Sequence, residues 1–234
     1  MRFHRLIKLF PIIILLSFLT CKVHAQEWHG GVDGGLNISS IKLVNQADNV
    51  TGDFSSRLGL HLGIFGEYGF SERWFAQIWF NYDQRGAKFK DDRTTSYGES
   101  YSADLKLRTH YFSLPLFLKF NFLSSDKIDL FGQFGPMISF LGWAKVKGTE
   151  TLDGSTSEIN ERLYDTWSKV TTSLIFGIGM EFNHTEEGNT FVQLQYNLGL
   201  TDVQQQGFYY DSTDTDARNR TITLTIGYKG RFGN

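Results

Sequence analysis

The chain has 234 residues, 41% of them hydrophobic and 15% aromatic, with one cysteine and a formal net charge of −2. This length suits a single barrel or sandwich domain, a lone cysteine excludes a disulfide framework, and the slight acidity argues against a nucleic-acid partner. Past residues 1–25, no apolar run approaches the roughly 18 residues that a transmembrane helix needs.

Residues 1–25 have the organisation of a secretory signal peptide. Three basic residues precede an apolar stretch at 9–19, and the small residues Val23 and Ala25 come before a predicted cut ahead of Gln26. Cys21 raises a lipoprotein alternative, but the residues before it lack the usual small-residue pattern. Removing this segment takes away the cysteine and four of the 23 basic residues. The mature chain, with 19 basic and 25 acidic residues, is predicted to have a charge near −6.

Apolar residues recur at even positions through the rest of the chain. In residues 109–122, every even position from 112 onward is Phe or Leu, whereas the odd positions include Ser113, Lys119 and Asn121. This period of two indicates a β-strand, and Pro115 would interrupt a helix. The length matches the roughly nine to eleven residues of a tilted strand that crosses a bilayer. The same parity predicts eight strands, at 28–38, 57–70, 73–85, 109–122, 128–145, 167–182, 190–202 and 218–232.

Two segments resemble a known family. Residues 111–119, Tyr-Phe-Ser-Leu-Pro-Leu-Phe-Leu-Lys, resemble the Tyr-Leu-Glu-Ile-Pro-Leu-Leu-Leu-Lys segment of PorT-like outer-membrane β-barrel proteins of Gram-negative bacteria. Residues 130–136, Leu-Phe-Gly-Gln-Phe-Gly-Pro, are similar to the Gly-x-x-Gly-Pro strand that follows it in those proteins. Ser113 stands where the family usually has an acidic residue. The resemblance implies an outer-membrane barrel and a membrane component of the type IX protein-secretion apparatus.

The predicted connections alternate in length. Segments 71–72, 123–127 and 183–189 are short, and the segments listed next are long and polar: 41–56, 86–104, 146–166 and 203–217. Bacterial barrels have short periplasmic turns and long outer loops, so both termini are predicted to face the periplasm. Leu105 and Leu107 break the even parity, which a bulge or an aqueous extension above the membrane would explain.

Aromatic residues are predicted to form a girdle at each membrane interface. The girdle near the short turns comprises Tyr68, Phe70, Trp74, Phe120, Phe122, Phe182, Phe191 and Phe232; the other comprises Tyr82, Phe112, Phe140 and Trp167. A soluble β-sandwich is the structural alternative, but its strands would be about half as long.

Charged residues at odd positions are predicted to face the interior. An eight-stranded barrel is just wide enough to be filled by side chains, so these charges must pair or be hydrated. A structural ion-pair plug is favoured over a conducting or substrate-handling lumen. The predicted interior charges are Arg57, His61, Glu67, Asp83, Arg85, Lys119, Asp129, Lys145, Lys169, Glu181, Lys229 and Arg231.

Three other groups of residues are candidates for chemistry, and for each of them a structural interpretation is favoured. His61 would need a nucleophile and an orienting carboxylate to act in catalysis, and no spacing identifies them. The glycine pairs at 30–31 and 34–35 lie inside a strand with no helix after it, so close strand packing is favoured over a phosphate-binding loop. Asp211, Asp214 and Asp216 lack the glycine and terminal glutamate of an EF-hand, so a solvated acidic loop is favoured over a calcium site.

The sequence therefore predicts a signal peptide at 1–25 and, at 26–234, an all-β, eight-stranded antiparallel up-and-down transmembrane barrel of the cell outer membrane. The predicted function is non-enzymatic: a structural, interaction or transport-related protein. No catalytic residue, cofactor or metal is predicted. Outer-membrane lipid and other envelope or secretion proteins are the predicted partners, and nucleic acid is not. A lipid-modifying enzyme and a narrow diffusion pore are the alternatives.

Overall fold

The computed structural model describes residues 27–44, 53–94, 98–185, 188–203 and 216–232; the predicted signal peptide lies outside these ranges. Every strand pairing is antiparallel. None of the described residues forms a helix long and apolar enough to cross a membrane. The ten strands are β1 (Glu27–Val44), β2 (Asp53–Gly69), β3 (Trp74–Arg85), β4 (Ala87–Thr94), β5 (Ser100–Ser124), β6 (Ile128–Leu152), β7 (Ser155–Arg162), β8 (Val170–Thr185), β9 (Gly188–Gly199) and β10 (Asp216–Phe232).

Eight of these strands close into a ring in the order β1, β2, β3, β5, β6, β8, β9, β10, with β10 paired back to β1. β4 continues the course of β3 beyond Gly86 and lies between β2 and β5. β7 pairs with the far end of β6. The predicted eight-stranded up-and-down barrel is confirmed, with β4 and β7 as additions at one end.

The register of the ring fixes the width of the barrel. One circuit of directly paired residues returns to β1 ten residues beyond its start, which is a shear number of ten. With eight strands, this shear requires a strand tilt of about 40° and a radius of about 8 Å. Such an interior has room for side chains and little else. The circuit runs through Trp28, Tyr68, Ala76, Leu118, Phe134, Phe176, Tyr196, Ile222 and Ile38.

Even positions face outward and odd positions face inward through the ring. On β5, Leu116 is 51% exposed and Phe117 is 3% exposed. Exposed apolar side chains form a continuous outer band, which on β5 extends from Phe112 to Phe122. A band of this size far exceeds the apolar patches that soluble proteins expose and matches the lipid-facing surface of a membrane barrel.

The aromatic girdles were predicted correctly in part. Near the short turns, Trp28 packs on Tyr68 with ring centroids 4.8 Å apart, and Trp74 packs on Phe120 at 4.6 Å. Phe191 is wrong, because its odd position points it into the interior. At the other end Tyr82, Phe112 and Phe140 lie on the outer face, but Trp167 is wrong: it lies between β7 and β8, directly after a turn, and is buried inside the barrel. The side chain of Phe232 lies outside the described residues.

The two long connections at 86–104 and 146–166 are largely strands rather than loops. β4 with the start of β5, and the end of β6 with β7, form hairpins that continue the wall past the apolar band. We call this the hairpin end, and the opposite end, with the short connections after β2, β5 and β8, the turn end. Leu105 faces inward here and is buried in an apolar cluster. The explanation of Leu105 by an extension beyond the membrane is therefore correct, and β5 needs no bulge there. A bulge does occur at Gly142 on the neighbouring strand β6, where it changes which positions face inward.

Candidate functional site

Four charged side chains fill the barrel interior near the turn end. Lys119 donates to Glu67 at 3.1 Å and to Glu181, and Lys229 donates to Glu67 at 2.9 Å and to Glu181 at 2.6 Å. All four are buried, and they come from β5, β2, β8 and β10. Each carboxylate therefore faces both ammonium groups, and the net charge of this charge cluster is zero. Gln77 adds a hydrogen bond to Glu67 at 2.6 Å.

An aromatic layer lies directly above the charge cluster. Phe65 stacks on Trp79 with ring centroids 4.1 Å apart, and Phe117 and Phe191 meet Trp79 edge to face. Trp79 donates its indole N–H to Gln77 at 2.9 Å, which joins the layer to the charge cluster below. Met137 and Ile175 complete the layer.

Inward-facing glycines make room for these rings. Gly31 lies directly opposite Phe65, and Gly227 lies directly opposite Phe191. A Cβ at Gly31 would lie 2.5 Å from the Phe65 ring, and one at Gly227 would lie 2.2 Å from the Phe191 ring. Each ring thus covers the backbone of the neighbouring strand. This confirms that the first glycine pair of β1 serves close packing.

A second polar group surrounds His61 above the aromatic layer. His61 Nδ1 lies 2.7 Å from Asp83 Oδ1, and His61 Nε2 lies 3.3 Å from Asp33 Oδ1. Asp83 also accepts hydrogen bonds from Arg85 at 2.7 Å and from Ser113 at 3.0 Å. All five side chains are buried. His61 is therefore an interior histidine, as the sequence predicts, with one hydrogen bond to Asp83 and its second ring nitrogen beside the Asp33 carboxylate.

This arrangement does not match hydrolytic catalysis. A serine nucleophile must lie within hydrogen-bond reach of the histidine that removes its proton, with the carboxylate on the far side. Here Asp83 lies between Ser113 and His61, and both imidazole nitrogens face carboxylates. Across the described ranges, no group of three or more His, Cys, Asp or Glu side chains has the arrangement of a metal site.

An apolar cluster closes the hairpin end of the interior. Trp167 donates its indole N–H to the Tyr111 hydroxyl at 2.9 Å, and both side chains are fully enclosed. The gap beside Trp167, lined also by Leu105 and Val146, measures about 20 Å³, which is room for about one water molecule. Together with the two polar groups and the aromatic layer below, this cluster fills the described interior with buried side chains.

The interior charges were predicted correctly at seven of twelve positions: His61, Glu67, Asp83, Arg85, Lys119, Glu181 and Lys229 are buried. Arg57, Asp129 and Lys145 are only half-buried, and Lys169 and Arg231 are exposed, because these five lie at the rims or beyond them. Lys169 and Arg231, which were predicted to face the interior, therefore lie outside the charge cluster. Lys229 is the lysine that joins Lys119 in pairing with Glu67 and Glu181. Asp33 was missed as an interior charge, although its odd position in the first strand carries the same signal.

The proposed acidic loop is described only in part. Asp211 and Asp214 lie outside the described residues. Asp216 accepts a hydrogen bond from Arg218 at 2.8 Å, so this carboxylate is engaged by a cation of its own strand.

A closed eight-stranded barrel with an apolar outer band and a filled interior defines an integral membrane barrel of the small outer-membrane class. Residues 24–205 match the family model described as outer membrane protein beta-barrel domain. The chain belongs to this family, and it is a protein of the cell outer membrane.

Searches of known proteins add the following likenesses. Ail of Yersinia pestis is 17% identical, with 88% of this chain and 99% of that chain covered and a TM-score of 0.42. Neisserial surface protein A is 14% identical, with 88% and 97% covered and a TM-score of 0.45. A major outer membrane protein from Thermus thermophilus is 11% identical, with 89% and 100% covered and a TM-score of 0.48. No curated protein matches the sequence.

Proposed function

We propose that this protein is a closed, non-enzymatic outer-membrane barrel that serves as a structural or interaction protein, with its hairpin end toward the cell exterior. The charge cluster of Glu67, Lys119, Glu181 and Lys229 is the observation that carries this proposal. Two ammonium and two carboxylate groups neutralise each other in direct contact. Moving an ion past them would require breaking buried pairs, each of which is costly to break.

The surface outside the membrane is then the part of the molecule available to partners. The usual orientation of bacterial barrels, with short turns in the periplasm, puts β4, β7 and the ends of β5 and β6 outside. The resemblance of residues 111–119 and 130–136 to PorT-like barrels supports a finer proposal, a membrane component of the type IX secretion apparatus. In a deletion strain, cargo of that pathway should then remain in the periplasm; unchanged secretion would refute this finer assignment.

Planar-bilayer recording tests closure directly. The purified barrel should give no steady current, whereas a general porin reconstituted in the same way should conduct. A steady current from the unmodified barrel would refute closure and favour the diffusion pore. Lipid analysis of the deletion strain tests the enzyme alternative, because the loss of a modified lipid species would support it.

Orientation is tested by labelling single cysteines in intact cells. The mature chain is predicted to lack cysteine, so Ser157→Cys on β7 and Asp126→Cys at the turn end provide one exposed thiol each. A membrane-impermeant maleimide should label the first in intact cells and the second only after lysis. The reverse pattern would invert the proposed orientation.

A further inference from the structure

The outer face of the hairpin end carries two adjacent rows of cations. Arg108 on β5 lies directly opposite Lys145 on β6, which lies directly opposite Arg162 on β7. Side chains directly opposite one another share a face, with Cβ atoms about 5 Å apart, so like charges there repel. A second row, two residues farther from the membrane on β5 and β6, consists of Lys88, Lys106 and Lys147.

Neighbouring carboxylates do not neutralise these rows. Among the residues that the structure describes, none of the six cations forms an ion pair. The next row outward is different, because Lys90 lies 3.4 Å from Asp104. Among the described rows on these strands, the two nearest the apolar band therefore lack a paired carboxylate, and their positive charge is uncompensated.

An open cleft adjoins the first row. It has a volume of about 730 Å³ and is lined by Trp143, Lys145, Arg162, Tyr164 and Asp165, among others. Trp143 and Tyr164 are large exposed aromatics that offer apolar walls, and Lys145 and Arg162 offer hydrogen-bond donors. Asp165 is the one carboxylate lining the cleft, so the two cations leave it with net positive charge.

An aromatic pair lies at the foot of the first row. His110 stacks on Trp143 with ring centroids 3.6 Å apart, and His110 Nδ1 lies 2.6 Å from the Tyr82 hydroxyl oxygen. This stacking holds Trp143 beside the cleft that it lines.

The height of the first row matches the lipid headgroups, and the second row lies just beyond them. Two residues along a strand tilted by about 40° rise by about 5 Å, so the two rows lie about 5 and 10 Å beyond His110 and Trp143. The polar headgroup region of a bilayer is about 5 to 7 Å thick on each side, and aromatic side chains mark its inner boundary. Cations directly outside an aromatic girdle therefore meet the charged groups of lipids.

We infer that the cleft and the first row bind the phosphate groups of an outer-leaflet glycolipid, with Lys145 and Arg162 contacting phosphate and Trp143 and Tyr164 packing against the sugar and upper acyl chain. This rests on the outward orientation proposed above. Arginine and lysine are the usual phosphate ligands, and clusters of them beside a membrane span recognise anionic headgroups.

Binding of a defined glycolipid to the purified barrel in a zwitterionic detergent tests the inference. The probe is a bis-phosphorylated lipid A, titrated against the wild-type protein and against Arg108→Gln/Lys145→Gln/Arg162→Gln. The matched control, Arg73→Gln/Lys127→Gln/Arg231→Gln, removes three exposed cations at the turn end. Native mass spectrometry counts bound lipid, and heat-modifiable migration verifies folding.

The first variant should bind about a hundredfold more weakly, since each of its three cations near a headgroup is worth roughly fivefold, and the control should bind like the wild type. Should the triple variant fail to fold, Lys145→Gln alone should bind about fivefold more weakly. Dephosphorylated lipid A should lose affinity to a similar extent, and millimolar inorganic phosphate should not displace the lipid.

Equal binding by the wild type and the row variants would overturn the inference, as would full affinity for dephosphorylated lipid. Displacement by inorganic phosphate would mean that the cleft is a simple phosphate site and not a lipid site. A steady current from the barrel would refute the closed function without affecting these results. Reversed cysteine labelling would refute the proposed orientation and, with it, the outer-leaflet lipid site.

Discussion

Removing one carboxylate from the interior charge cluster should destabilise the barrel far more than its size suggests. In Glu181→Gln, Lys119 and Lys229 lose one of the two carboxylates that each contacts, and the buried cluster acquires one uncompensated positive charge. Breaking a buried pair on one side costs about 3 to 5 kcal/mol. Urea unfolding of the detergent-solubilised barrel measures this loss.

The double variant Glu181→Gln/Lys119→Gln isolates the electrostatic cause. It restores neutrality and leaves the Lys229–Glu67 pair, 2.9 Å apart, intact. Its loss of stability should be smaller than the sum of the two single losses by about 1 to 3 kcal/mol. Asp129→Asn is the matched control, since this half-buried carboxylate at the rim should matter by about 0.5 kcal/mol or less. Additive single effects, or a loss below about 1 kcal/mol for Glu181→Gln, would refute the reasoning.

Two further predictions test the faces and the glycines. Leu116→Arg should cost about 2 to 4 kcal/mol of folding stability in lipid vesicles, against about 1 or less for Leu123→Arg at the turn end; equal losses would contradict a lipid-facing Leu116. Gly227→Ala should cost about 1 to 3 kcal/mol in urea unfolding, because its Cβ would lie 2.2 Å from a packed ring, whereas Gly66→Ala, with its nearest atom at 3.9 Å, should be nearly neutral.

The fold followed from the sequence because one simple pattern controls it. Even positions must meet lipid and odd positions must fill the interior, so a period of two reveals both the strands and their faces. The same rule also corrects two of the predictions. Phe191 occupies an odd position and therefore faces the interior and not the outer girdle, and the same parity places Asp33 among the interior charges.

The hairpin end was harder to predict because its composition resembles a loop. Residues 86–106 are rich in charge, yet Ala87, Phe89 and Leu105 alternate with outward lysines. Beyond the membrane the outer face turns polar, so a strand loses the lipid-facing signal and keeps only its inward one. The Gly142 bulge then reverses the parity of β6, which places Trp143 on the outer face. A fixed even parity does not anticipate such a reversal.

The arrangement of charge explains why function should be sought on the outer surface. Lys119 and Lys229 lie among carboxylates inside a barrel of about 8 Å radius, where their hydrogen bonds are already made. Lys145 and Arg162 differ, because they stand beside other cations and line an open cleft. Stability alone would favour opposite charges in those rows. A repulsive arrangement kept directly outside the aromatic girdle is what a site for an external anion requires, whereas the two interior lysines already have their counter-charges.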